Sequence, residues 1–166
     1  MNDEATLPVV VSVALIALAA AHIGEETVKG FRRFFNTEWF RGNENCPVSR
    51  AKGLFIDQIG LFLLLAGLAA LGALLDSRWL LVALGIIIAD LVQHAVFSIA
   101  KMKYTPGVAT STLYLLYVIY FFGREELRSH LYRDWAWVAV AVGAAFIAAN
   151  YTIAKVQAGR CSPAGV

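Results

Sequence analysis

Charge is scarce in this chain: Asp, Glu, Lys and Arg make up only 16% of its 166 residues, where soluble proteins carry about 25%. A water-soluble surface cannot be built from so little. Cysteine is rarer still, with only Cys46 and Cys161, which excludes a disulfide-stapled scaffold and a cysteine-cluster metal site. Also missing are the alternating polar and apolar blocks of about ten residues that mark a membrane β-barrel. No internal repeat or long linker divides the chain, so a single domain over residues 1–166 is expected. The net charge is only +2 and the basic residues flank apolar blocks, so nucleic acid is not an expected partner.

What the chain does have is hydrocarbon. Hydrophobic residues reach 59% and fall in long blocks, each close to the roughly 20 residues a helix needs to cross a bilayer core about 30 Å thick. Five blocks are read, at residues 7–28, 53–75, 79–100, 107–122 and 135–156. The expected fold is an all-α integral membrane protein, a five-transmembrane-helix bundle in a bacterial-type inner (plasma) membrane. The first block is read as a retained helix, not a signal peptide, because Asp3 and Glu4 precede it where a signal peptide carries basic residues.

Lys and Arg in the connections set the expected orientation. Lys29, Arg32, Arg33, Arg41, Arg50, Lys52, Lys101, Lys103, Lys155 and Arg160 fall on one side, and Arg78, Arg124, Arg128 and Arg133 on the other. The N-terminus is therefore expected outside and the C-terminus in the cytoplasm, with Cys46 and Cys161 as reduced cytoplasmic thiols. Between the first two spans, Phe31, Phe34, Phe35 and Trp39 recur at helical spacing among Arg32, Arg33 and Arg41. This segment reads as a basic, aromatic interfacial helix lying on membrane lipids; a sharper reading makes it a lid over a lipid substrate.

Polar residues inside the spans share one depth. His22, Glu25 and Glu26 close the first helix, Asp90, Gln93 and His94 lie toward the end of the third, and Asn150 toward the end of the fifth. Asp57 and Gln58 open the second helix, and Thr110, Ser111 and Thr112 the fourth. Positions i, i+3 and i+4 share a helix face, so the first and third helices present matching His-and-carboxylate faces in the cytoplasmic third. An ionisable residue at the centre of a membrane helix costs about 2.5–3.5 kcal/mol on insertion scales, so such residues usually mark a site.

Each has a plainer reading. His22 alone could bond a backbone carbonyl, and Glu25 or Glu26 could pair with Lys29 one turn on; Tyr104 and Tyr114 could be interfacial belt residues. Asp90 and His94, with no basic residue within a turn, need each other or another helix. Four carboxylates at one depth require protons, loop lysines or a divalent cation. Two imidazoles with carboxylates on inward helical faces match the ligand inventory of zinc sites and of di-iron bundles. The expected ligands are His22, Glu25 and His94, with Glu26 and Asp90 as general base or further ligand. Asp57, Gln93, Tyr104, Thr110 and Asn150 are expected to support them.

The segment His22-Ile23-Gly24-Glu25-Glu26, closing an apolar first helix, resembles the defining motif of the HXXEE family of small integral membrane proteins. The resemblance extends to Asp90-Leu91-Val92-Gln93-His94, where Asn is expected in the first position, and to Tyr104-Thr105-Pro106-Gly107 followed by Thr110. It implies a membrane protein whose polar motif suits an enzyme active site, and it brings no substrate.

Three functions follow. The first is an intramembrane metal-dependent enzyme, using zinc or iron, that acts on a lipid or other hydrophobic small molecule. Hydrolysis by metal-activated water is its simplest chemistry and oxidation at a di-iron centre the next. The second is a proton- or metal-coupled transporter, disfavoured because the polar groups stop at one depth and no repeat is present, although a homo-oligomer could assemble a pathway. The third is a structural membrane protein whose polar cluster knits helices together.

Overall fold

A computed structural model describes residues 3–34, 38, 58–123 and 135–160. Asp57, Cys46, Cys161 and most of the basic connection after the first helix lie outside the described residues. Among those described, every regular element is helical: α1 (Asp3–Lys29), a short α2 (Phe31–Phe34), α3 (Gly60–Leu74), α4 (Trp79–Lys101), α5 (Val108–Gly123) and α6 (Trp135–Arg160). The helices at Pro8–Lys29, Trp79–Lys101 and Trp135–Ile153 are long and apolar enough to cross a membrane. Gly60–Leu74 and Val108–Phe121 are shorter apolar helices.

Four of the helices close a ring. α1 packs on α3 and α5, and α4 packs on the same two neighbours, so α1 and α4 face each other diagonally across the bundle axis. Their inward stripes follow a spacing of three and four residues: Val11, Leu15, Ala19, His22 and Glu26 on α1, and Ala83, Ile87, Asp90, His94 and Phe97 on α4. α5 adds Ser111, Tyr114, Tyr117 and Phe121. One end of the bundle is thus filled with aliphatic and aromatic side chains, and the other with polar ones.

α6 stands outside this ring, against the back of α4. A methyl group on Gly85 would lie 2.1 Å from the Ala139 carbonyl oxygen, and one on Gly143 would lie 2.6 Å from that of Gly85. The two backbones touch because neither position has a side chain, the usual route to close helix packing in lipid. Beside the crossing, an aliphatic cleft of about 370 Å³ is lined by residues such as Leu81, Ile88 and Val92 of α4 and Val140 and Ile147 of α6. Counting 100° per residue, this face of α4 lies opposite the one carrying Asp90 and His94.

Candidate metal centre

The polar end is organised by the turn between α4 and α5. Met102 ends α4 in the left-handed conformation (φ 50°), with its N–H on the Ile99 and Ser98 carbonyls. Ser98 then donates to Thr105 across 2.8 Å, which ties the turn back onto the helix it leaves. Pro106 and Gly107 follow, and the positive φ of Gly107 (96°), readily reached only without a side chain, swings α5 up beside α1.

Gly107 also fits against the two imidazoles. A methyl group here would lie 2.5 Å from His94 Cε1 and 2.9 Å from His22 Cε1. The His22 and His94 rings meet edge to face, with centroids 5.0 Å apart. Phe31, turned inward by the Gly30 bend (φ 72°), packs on His94 at 4.8 Å, and Tyr114 packs on His22 at 5.1 Å. Both histidines are fully buried, and Glu26 and Asp90 are each 4% exposed.

These four residues alternate around the bundle axis. His22 Nε2 lies 2.9 Å from Asp90 Oδ2 and 3.7 Å from Glu26 Oε1. His94 Nε2 lies 3.1 Å from Glu26 Oε1 and 3.7 Å from Asp90 Oδ1. The close contacts join the two helices, and the longer ones run one turn along each. His22 Nε2, Asp90 Oδ2 and both His94 ring nitrogens are buried without an aligned hydrogen bond, an arrangement that costs free energy unless something sits between them. Donor atoms of His22, Asp90 and His94 all fall within 4.8 Å of one another, a group able to hold a metal ion.

The structure redistributes the expected roles. Glu25, expected to ligate, has turned from the axis toward the start of α5. Its Oε1 accepts from the Gly107 N–H (3.1 Å) and the Tyr104 hydroxyl, and its Oε2 from the Thr110 N–H (2.8 Å) and hydroxyl (2.6 Å). Backbone N–H groups at a helix start favour a carboxylate, and both Glu25 oxygens are occupied in this clamp, away from the group formed by His22, Asp90 and His94. Asp90, expected first as a base, supplies the third donor of the group. Thr110 touches the centre directly, its Oγ1 standing 2.8 Å from His22 Nδ1.

Gln93 is buried on α4 but takes part in none of the ion pairs or hydrogen bonds of the four. Asn150 sits on α6, behind α4, and is not brought to the site. Gln58 instead joins the polar layer, accepting from Thr27 at 2.7 Å. The sequence does not mark Gly107 as a site residue, and in it Phe31 reads as part of an interfacial helix or a lid over a lipid, not as a packing partner of His94. The positive-φ demand after Pro106 cannot be seen without the turn.

The chain matches, over residues 13–122, the family described as "Protein of unknown function with HXXEE motif". No curated protein and no solved structure matches it.

Proposed function

The chain belongs to the HXXEE-motif family, and from that premise we propose that it is an intramembrane metal-dependent enzyme, a hydrolase acting on a lipid or other hydrophobic substrate at the cytoplasmic side. The observation that carries the reading is the convergence of His22, Asp90 and His94 donor atoms within 4.8 Å, buried and unsatisfied. In this proposal the three long helices and the two shorter apolar ones all span the bilayer, with the N-terminus outside, the C-terminus in the cytoplasm and the polar end of the bundle at the inner face.

The donor set favours one ion. Two imidazoles and one or two carboxylates suit a single zinc or ferrous ion with an open position. Di-iron bundles draw on about four carboxylates and two histidines, and with Glu25 held by α5 this centre has two. A bound divalent ion would supply Lewis acidity and an acidic water. Glu26, flanking the trio, is the group suited to take that water's proton. Gly107 and Phe31 pack on the imidazoles, and a hydrophobic substrate entering from among the helices is part of this proposal.

Metal analysis of the purified protein in detergent tests this. Wild type is expected to hold about one ion per chain, Glu26→Gln to retain it, and His22→Ala, Asp90→Ala and His94→Ala to lose it with helix content preserved. Negligible metal in every sample, with the alanine variants merely less stable, would reduce the four residues to a structural cross-link of two ion pairs.

A further inference from the structure

We infer that the two glutamates of the motif divide the work: Glu26 faces the ion, whereas Glu25 acts through Thr110 to keep a proton on His22 Nδ1 and leave Nε2 free to ligate. The inference rests on the metal reading above for its ligand half. Its hydrogen-bond half stands on geometry alone.

Thr110 Oγ1 has one hydrogen and three neighbours: Glu25 Oε2 at 2.6 Å, His22 Nδ1 at 2.8 Å and the Gly107 carbonyl at 3.1 Å. The carboxylate and the carbonyl can only accept, so the hydroxyl hydrogen goes to one of them, and the shorter contact selects Glu25. Toward His22 the hydroxyl is then an acceptor, and Nδ1 must be the donor. A neutral His22 therefore carries its lone pair on Nε2, 2.9 Å from Asp90 Oδ2.

Glu25 is what makes this direction obligatory. Were its carboxylate absent, the Thr110 hydroxyl could turn toward His22 and reverse the tautomer. Histidine ligands commonly have the far ring nitrogen fixed by a carboxylate or carbonyl, and here the carboxylate works at one remove through a threonine. His94 is held differently: its Nδ1 is buried without a hydrogen-bond partner, and its ring is held by packing on Phe31. Thr110 and Glu25 are thus positioning residues for one imidazole of the pair.

Nitrogen NMR of the full chain, ¹⁵N-labelled at histidine and solubilised in detergent, reads the tautomer without metal. Wild type and Thr110→Ser are expected to show a proton on His22 Nδ1, and Thr110→Val a shift toward the Nε2-protonated form. In zinc competition titrations, Thr110→Val and Glu25→Gln should bind about 10–100-fold more weakly than wild type, the usual loss for an outer partner of a histidine ligand, with Thr110→Ser close to wild type. An unprotonated Nδ1 in the metal-free wild type overturns the inference while leaving zinc binding intact. So does a Thr110→Val protein with wild-type zinc affinity. A wild type that binds no zinc yet keeps its Nδ1 proton overturns the metal centre and the ligand half, and leaves the relay.

Discussion

His22 Nε2 and Asp90 Oδ2 stand 2.9 Å apart, both buried and neither in an aligned hydrogen bond. With the proton of His22 on Nδ1, these are two acceptors at contact distance. Such a contact is tenable only with a second proton or a cation between them. Replacing Asp90 by Asn keeps the shape and removes the charge. We expect Asp90→Asn to weaken zinc binding by more than the roughly 100-fold upper range for an outer partner, as measured by chelator competition. A loss of tenfold or less would show that Asp90 is not a donor.

Gly107 makes two demands at once, a positive φ and the absence of a Cβ. A residue in a sparsely populated backbone region costs about 1–3 kcal/mol, and the methyl group of Gly107→Ala would also overlap both imidazoles. The variant should unfold at a clearly lower temperature than wild type and hold no metal. Retention of both properties would mean that the turn does not seat against the rings.

Tyr104 reports on the Glu25 clamp from outside the membrane spans. Its hydroxyl donates to the Glu25 carboxylate, and that bond, with a smaller contribution from burial, pushes its pKa up to about 12 from 10.0. Because the proton is held more tightly in the folded state, the stability this bond contributes is complete below pH 10. It is lost as pH rises through about 12. Phenolate absorbance of wild type and Glu25→Gln should differ by one tyrosine, late-titrating in the wild type and returned toward the ordinary range in the variant.

The position of α6 yields a prediction of the opposite kind. Asn150→Ala should leave zinc affinity within about twofold of wild type, since α6 meets the face of α4 turned away from the histidines. Gly85→Val would place a side chain against the Ala139 carbonyl and should loosen α6 from α4, seen as faster proteolysis of the C-terminal helix. An Asn150→Ala protein that loses its metal would return α6 to the site.

Much of this arrangement could be read from residue spacing. The apolar blocks predicted the helices to within a few residues at most described ends, and the shared depth of His22, Glu26, Asp90 and His94 predicted their meeting. Glu25 and Glu26 part company in the structure because an i, i+3, i+4 face is too coarse to separate them. Continuing the α1 stripe from Val11 through Leu15, Ala19 and His22 by steps of four and three selects Glu26 and leaves Glu25 one residue off the axis. Asn150 is a different matter: depth fixes the level of a side chain and says nothing about which side of a neighbouring helix it faces. The seating of Gly107 depends on a turn closed by tertiary contacts, which no local pattern encodes.

The longer contacts of the site, His22 to Glu26 along α1 and His94 to Asp90 along α4, both 3.7 Å, bear on how the protein is made. α1 leaves the ribosome long before α4, and each helix carries one imidazole and one carboxylate a single turn apart. Each can therefore enter the bilayer with its acid already partnered on its own surface. In the assembled bundle the shorter contacts cross between the helices, His22 to Asp90 and His94 to Glu26. Each half of the centre thus carries an imidazole for its own acid before the other half docks.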